Sequence, residues 1–357
     1  MNVTPKFTIV LAGYQCEPYL PKALDSIARQ TFRDFEVICY VEESTDNSLA
    51  ICQAMAKQDA RFAVVSAPKS GAVSSTRNYG IDHASGEYLV VLDGDDWIAD
   101  DMLEKLCQKL KKTGPIDVLA FAFTKTTADG IAMERPSIQS NFRVADDIAG
   151  VFSGMDAIRR VRDKQSSVFY AYTGLNLYRV GFLRDNRLYQ KPGMLMQDFE
   201  WAPRVWFFAQ KFAYLDEVFY FYRSHPNTIT TKKTSKLVFD FADGLQLFLD
   251  FVSHHSIPDD ILSTWSNQRL CVLFNFLFQP IGSRRITDMD RKHILQRFFG
   301  KEYSALFRKI VFHASVPRRM AFPFLWLAAR GFLLPAKLYF SKFYYPLVEL
   351  RERRSRD

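Results

Sequence analysis

Five acids crowd into the stretch "YLVVLDGDDWIADD", residues 88–101: Asp93, Asp95, Asp96, Asp100 and Asp101. They follow directly on an apolar run, so the first of them stand where a buried segment ends. Like charges gathered there repel one another unless a cation answers them. Asp93 and Asp95 flank Gly94, whose backbone freedom allows a tight turn and lets the two carboxylates converge. Such a pair suits a hard divalent ion, Mn2+ or Mg2+, which prefers oxygen ligands and shares its shell with substrate phosphates. The plainer alternative is a solvated acidic loop in which Asp96 or Asp100 caps the next helix. The five cysteines, Cys16, Cys39, Cys52, Cys107 and Cys271, form neither a CxxC pair nor a zinc-type spacing. That pattern points to reduced thiols in a cytoplasmic setting rather than a disulfide framework.

The elements that must position these acids alternate. Residues 7–14, 35–43, 61–68, 88–94 and 116–123 are short runs of Val, Ile and aromatics and predict strands. The segments 21–30, 47–58, 74–84 and 99–112 space their apolar residues as helices do. Strand–helix alternation implies an α/β fold with a mainly parallel sheet covered by helices on both faces. Ligands of such sheets sit beyond the carboxyl ends of the strands, which is where "EESTD" and "DGDD" both fall. Residues 130–165 show no period and read as an insertion. Strand and helix signals resume over 166–225, with an amphipathic helix at 197–210, and the chain is helical and aromatic beyond about 232. Two regions are expected: 1–230 carrying the site, and 231–357 as a helical extension.

Taken together, "IVLAGYQCEPYLPKALDSIARQTFRDFEVICYVEESTDNS" and "AVSSTRNYGIDHASGEYLVVLDGDDW" resemble the family 2 glycosyltransferases of the GT-A (Rossmann-like) fold. The resemblance spans residues 6–100 in order and spacing. It implies a nucleotide-sugar pocket begun by Ala12, Tyr14 and Glu17. Glu42 stands where the family usually has an Asp reading the nucleobase, and UDP is the expected nucleotide. Arg77 and Asn78 fall near the nucleotide or its diphosphate; the alternative is a helix-surface pair contacting nearby acids. Asp93, Gly94 and Asp95 become the nucleotide–metal segment, with Asp96 and Trp97 toward the acceptor.

A second segment, "AYTGLNLYRVGFLRDNRLYQKPGMLMQDFEWAPRVW", resembles the family's acceptor side, to which Gly174 and Gln197 belong. Asn176 replaces a usual Lys and Gln197 a usual Glu, while Asp198 stands at the general base. The base takes the proton of the acceptor hydroxyl as that oxygen attacks the anomeric carbon, which requires an ionised carboxylate within hydrogen-bond reach. A carboxylate favoured by a helix N-terminus is the bland alternative for Asp198. The closing segment "FYFYRSHPNTIT", residues 219–230, places Arg223 toward the diphosphate and His225 as a third metal ligand or a structural histidine. The reaction implied is inverting transfer of a sugar to a glycan or lipid-linked glycan acceptor in bacterial cell-surface polysaccharide synthesis, such as capsule or lipopolysaccharide. Two alternatives stay open. An Asp-x-Asp phosphatase would use Asp93 as nucleophile, although Asp96 and Trp97 are not its usual sequel. A catalytically inactive nucleotide- or glycan-binding relative would account for Glu42, Asn176 and Gln197.

The formal charge of +8 is concentrated at one end: residues 301–357 hold twelve Lys or Arg against four Asp or Glu. Arginines and lysines interleaved with Phe, Tyr, Trp and Leu suit an anionic membrane surface, at the inner face of the cytoplasmic membrane. The competing reading is a helical subdomain with a solvated basic end. The best candidate for a membrane-spanning helix, around residues 320–340, is interrupted by Pro323, Arg330, Pro335 and Lys337, and no secretory signal opens the chain. Nucleic acid is not an expected partner, because no recognisable module accompanies the charge.

Overall fold

The computed structural model describes residues 5–132, 150–160, 173–225, 234–279 and 286–347. Much of the insertion over 130–165, the end of the closing segment with Lys232 and Lys233, and the last arginines lie outside them. Two compact units divide the chain, Met1–Asp163 with Val168–Thr228 and Lys164–Ser167 with Ile229–Asp357.

The first unit runs β1 (Phe7–Gly13), α1 (Leu20–Ala28), β2 (Phe35–Glu42), α2 (Ser48–Gln58), β3 (Phe62–Ala67), α3 (Ser74–His83) and β4 (Tyr88–Asp93). There follow β5 (Trp97–Ile98), α4 (Met102–Thr113), β6 (Val118–Thr126), α5 (Gly154–Arg160), β7 (Asn176–Arg179), α6 (Val180–Asp185), α7 (Gln197–Phe208) and β8 (Phe212–Arg223). The eight strands form one sheet in the order β3-β2-β1-β4-β7-β6-β8-β5. The first four are mutually parallel and β6 pairs parallel with β8, whereas β7 and β5 run antiparallel to their neighbours. The sheet is therefore mixed and mostly parallel.

Strands buried on both faces need continuous apolar runs, and Phe7, Ile9, Leu11, Val37, Val90 and Leu92 are all buried in the core. Burying each such side chain is worth about 1.5–3 kcal/mol, which holds the helices against the sheet. The register sets the site. Ala12 of β1 lies beside Asp93 of β4, and Gly13 beside Val41 of β2, so Asp93 and Glu42 end the two strands that flank β1, at the same carboxyl edge of the sheet.

The second unit comprises α8 (Ser235–His254), α9 (Asp259–Phe278), α10 (Asp288–Phe299), α11 (Ser304–His313), α12 (Val316–Met320), α13 (Phe322–Ala329) and α14 (Leu333–Tyr339). α14 continues into a π-helical turn, Phe340–Tyr344. Helix α9 buries Trp265, Leu270, Leu273, Phe274 and Leu277. Phe340 packs against two of its aromatics, stacking on Phe278 with centroids 4.3 Å apart and meeting Phe274 edge-on at 4.9 Å.

Candidate active site

At the end of β4 the chain turns back on β1. Gly94 donates its N–H to Ala12 O at 2.9 Å, and a Cβ on Gly94 would stand 2.8 Å from both Ala12 O and Cys16 Sγ. Close approach is thus what requires glycine here, and its φ is not in the left-handed region. Asp93 follows the last buried residue of β4. Its Oδ1 is buried without a hydrogen bond and lies 3.7 Å from Arg77 Nη2. Burial lifts its carboxyl to about 6 against the pull of Arg77, with Asp95 and Asp198 adding to the rise.

Asp95 meets His225, whose Nε2 lies 2.9 Å from Asp95 Oδ2. The histidine is buried, its ring rests on Tyr19 with centroids 4.5 Å apart, and its Nδ1 has no hydrogen-bond partner among the described residues. Neighbouring ligands of an octahedral ion with bonds of about 2.1 Å stand about 3 Å apart, so this pair fits one hard cation. No group of three or more His, Cys, Asp or Glu that could hold a metal occurs among the described residues. A cation on Asp95 and His225 would therefore draw its other ligands from substrate phosphates and water, the habit of Mg2+ and Mn2+.

Arg77, buried on α3, joins the two sides of the site. Its Nη1 donates to Asp198 Oδ1 at 2.8 Å and to Thr173 Oγ1 at 3.2 Å, while Nη2 faces Asp93. Gly80, one turn on, brings α3 onto β1, since a Cβ there would meet Val10 Cγ2 at 2.4 Å. Asp198 sits in the first turn of α7 and is half-buried. Its Oδ1 accepts from Arg77, from the Thr173 hydroxyl and, at 3.3 Å, from Gln190 Nε2. Among the described residues Oδ2 accepts no hydrogen bond, so one oxygen is fixed and the other is free to take a proton.

Several expected site residues are otherwise engaged. Asp96 is buried: its oxygens accept from Tyr220 Oη at 2.6 Å and Arg223 N at 2.7 Å. Burial, with Asp95 and Asp93 nearby, pushes its carboxyl well above the usual range. Trp97 is likewise buried in β5, stacked on Phe221 at 5.3 Å with Lys22 Nζ 3.4 Å over its ring. Gln197 is buried too. In the amide orientation that satisfies both ends, it accepts from Arg77 Nη1 at 2.8 Å and donates to Met194 O at 2.6 Å. All three are thus held by partners within the fold, Asp96 and Trp97 at the short β5 and Gln197 at the start of α7. Gly174, in the 3-10 turn Thr173–Leu175, lets the chain pass the Tyr220 ring, which a Cβ would meet at 3.2 Å.

Asn78 is engaged with the backbone of Gln190. Its side chain donates to Gln190 O and accepts from Gln190 N, both at 2.8 Å, clamping the segment that leads to Asp198. Arg223 spends Nε on Asp95 O at 2.8 Å and Nη1 on Ala128 O at 2.5 Å, between the rings of Tyr19 and Trp97. Glu42 accepts from Ser70 N at 3.2 Å and from the Ser70 hydroxyl. Glu17 takes Asn47 N at 2.9 Å and Asn47 Nδ2 at 2.8 Å, tying the loop after β1 to the start of α2. Tyr14 stays exposed, with Lys69 Nζ 4.8 Å from its ring centroid. Thr173 and Gln190 carry no motif that would have singled them out; only the fold brings them here.

Comparison with known proteins agrees with this geometry. The profile of glycosyl transferase family 2 matches residues 8–187. The uncharacterized glycosyltransferase EpsJ of Bacillus subtilis is 29% identical over 63% of this chain and 63% of its own length. The glycosyltransferase GlyA of Streptococcus pneumoniae is 25% identical over 72% of this chain and 36% of its own. The match thus spans less than two thirds of either relative. The crystal structure of S. aureus TarS 1-349 with UDP-GlcNAc superposes with a TM-score of 0.75 at 18% identity, covering 96% of this chain and 92% of that one. The mannosyltransferase PcManGT of Pyrobaculum calidifontis, with GDP-Man and Mn2+, reaches 0.52 at 14% identity over 94% and 87%. With the GT-A sheet, the acid pair at the end of β4 and a profile match over half its length, this chain belongs to glycosyl transferase family 2.

Proposed function

We propose that the chain transfers a sugar from a UDP-sugar to a hydroxyl of a glycan or lipid-linked glycan, with inversion, in cell-surface polysaccharide synthesis on the cytoplasmic side of the membrane. The observation that carries the reading is the double engagement of Arg77, which places Asp93 of the strand-end acid pair and Asp198 of α7 against one guanidinium. The two carboxylates expected to serve donor and acceptor thereby lie against the same side chain. The UDP-GlcNAc bound by TarS, a structure of the same fold, supports the choice of nucleotide.

Asp198 acts on the acceptor. With Oδ1 held by three donors, Oδ2 accepts the hydroxyl proton while the acceptor oxygen forms a bond to the anomeric carbon. The bond from that carbon to the diphosphate oxygen breaks, and its electron pair leaves with the nucleoside diphosphate. Asp95 and His225 would hold Mn2+ or Mg2+, which supplies positive charge for the diphosphate as it departs. The Asp-x-Asp phosphatase alternative is disfavoured by the place of Asp93, which ends the fourth strand and is followed by Asp96 and Trp97.

A screen of nucleotide sugars, read as nucleotide release with Mn2+ present, tests the proposal. Asp198→Asn should lower turnover by roughly 10²–10⁴-fold while Mn2+-dependent UDP binding persists, the range expected for losing a general base. Asp95→Ala should lose that binding. A protein that binds UDP equally with and without Mn2+, or whose Asp198→Asn variant turns over normally, overturns the reading.

A further inference from the structure

The basic, aromatic end of the chain takes no part in the transfer reading, yet it carries most of the exposed apolar surface. Among the described residues, eight of the twelve exposed large apolar side chains lie between Phe312 and Leu347. The turn between α13 and α14 is made at Gly331, whose φ of 99° few other residues adopt. Gly331 N and Phe332 N donate back to Ala328 O and Leu327 O, and Phe332 and Leu334 emerge 62% and 66% exposed. Along α14 and the π-helical turn the inward face is already filled by Ala336, Tyr339, Phe340 and Tyr344, all buried. Leu334, Leu338 and Phe343 stand outside that face, at 66%, 49% and 62% exposed.

Charge along this stretch of the sequence has one sign. From Tyr303 to Val348 the sequence holds seven Lys or Arg and no Asp or Glu. Arg330 lies 3.5 Å over the Trp326 ring, and Lys342 is exposed among the apolar groups. Lys337 is partly spent on Asp288, 2.9 Å away. No helix among the described residues is long and apolar enough to cross a membrane, so an apolar face with cations beside it lies on a bilayer rather than through one. A polyanion such as nucleic acid would answer the cations but not the leucines. A protein partner would answer the leucines without needing cations alone.

We propose that the α13–α14 turn and the outer face of α14 dock on an anionic lipid bilayer. Phe332, Leu334 and Leu338 enter the boundary between headgroups and acyl chains, while Arg330 and Lys342 meet lipid phosphates.

Cosedimentation of the full chain with phosphatidylcholine vesicles, with and without phosphatidylglycerol, tests this without any sugar donor, so the outcome is separate from the transfer reading. Binding should require phosphatidylglycerol and weaken at high salt. The combined Phe332→Ser, Leu334→Ser and Leu338→Ser variant should bind at least about tenfold more weakly, since each apolar side chain contributes to partition. Arg330→Glu with Lys342→Glu should abolish the preference for phosphatidylglycerol, and this pair decides the matter if the apolar variant melts early. Wild-type binding that ignores lipid charge overturns the proposal, as does full binding by the charge-reversed variant. So does a dimer in sedimentation that the serine variant dissolves, because the face would then belong to a second copy.

Discussion

Arg77 and Arg330 are the same side chain treated in opposite ways by the two units. Arg77 is buried, gives its hydrogens to Asp198 and Thr173, and faces Asp93. Arg330 is exposed and lies flat on Trp326, in a stretch with no acid from Tyr303 to Val348. A guanidinium taken out of water must be paired, and the pairing then fixes the geometry of everything it holds. One left in water keeps its charge available to a partner outside the chain. The first arrangement builds a site with set distances; the second builds a surface with a sign.

That contrast is most easily broken at Arg77. Arg77→Met would leave Asp93 and Asp198 without their shared cation, and the fold should lose about 3–5 kcal/mol, as when one member of a buried ion pair is removed. Denaturant unfolding measures it, and a variant as stable as the parent would mean the guanidinium is not a structural keystone. Asn78→Ala comes next. It removes both hydrogen bonds to Gln190, a cost of about 1–3 kcal/mol, with UDP affinity unchanged. Weaker UDP binding with full stability would return Asn78 to the nucleotide. The smallest effect belongs to the other unit: Phe332→Ser on an exposed turn should move stability by no more than about 0.5 kcal/mol. A clear loss in thermal melting would show that Phe332 packs rather than waits for a partner.

The frame of the site was legible in the sequence because it rests on local patterns. Apolar runs announced β1 to β4 and β6, and their alternation with helices placed Asp93 and Glu42 at strand ends. β5 and β7, two and four residues long, are too short to carry a period. The burial of Asp96 and Trp97 was therefore not legible: β5 pairs with β8 and both turn inward, onto residues more than a hundred positions away. Thr173 and Gln190 lie in separate segments from Asp198, and nothing in their own surroundings marks them as its partners.

The sequence by itself determined that an acid pair follows a buried parallel strand, that a carboxylate opens the helix at 197, and that the excess positive charge gathers at one end. These depend on neighbours along the chain, whose periodicity and spacing are local properties. Only the tertiary structure decided that Arg77 spans Asp93 and Asp198, that Asp96 is sealed against Tyr220, and that Asp198 offers one oxygen while the other is held. Burial, hydrogen-bond satisfaction and pKa are set by whichever distant segments pack around a group, and that depends on the closed fold as a whole.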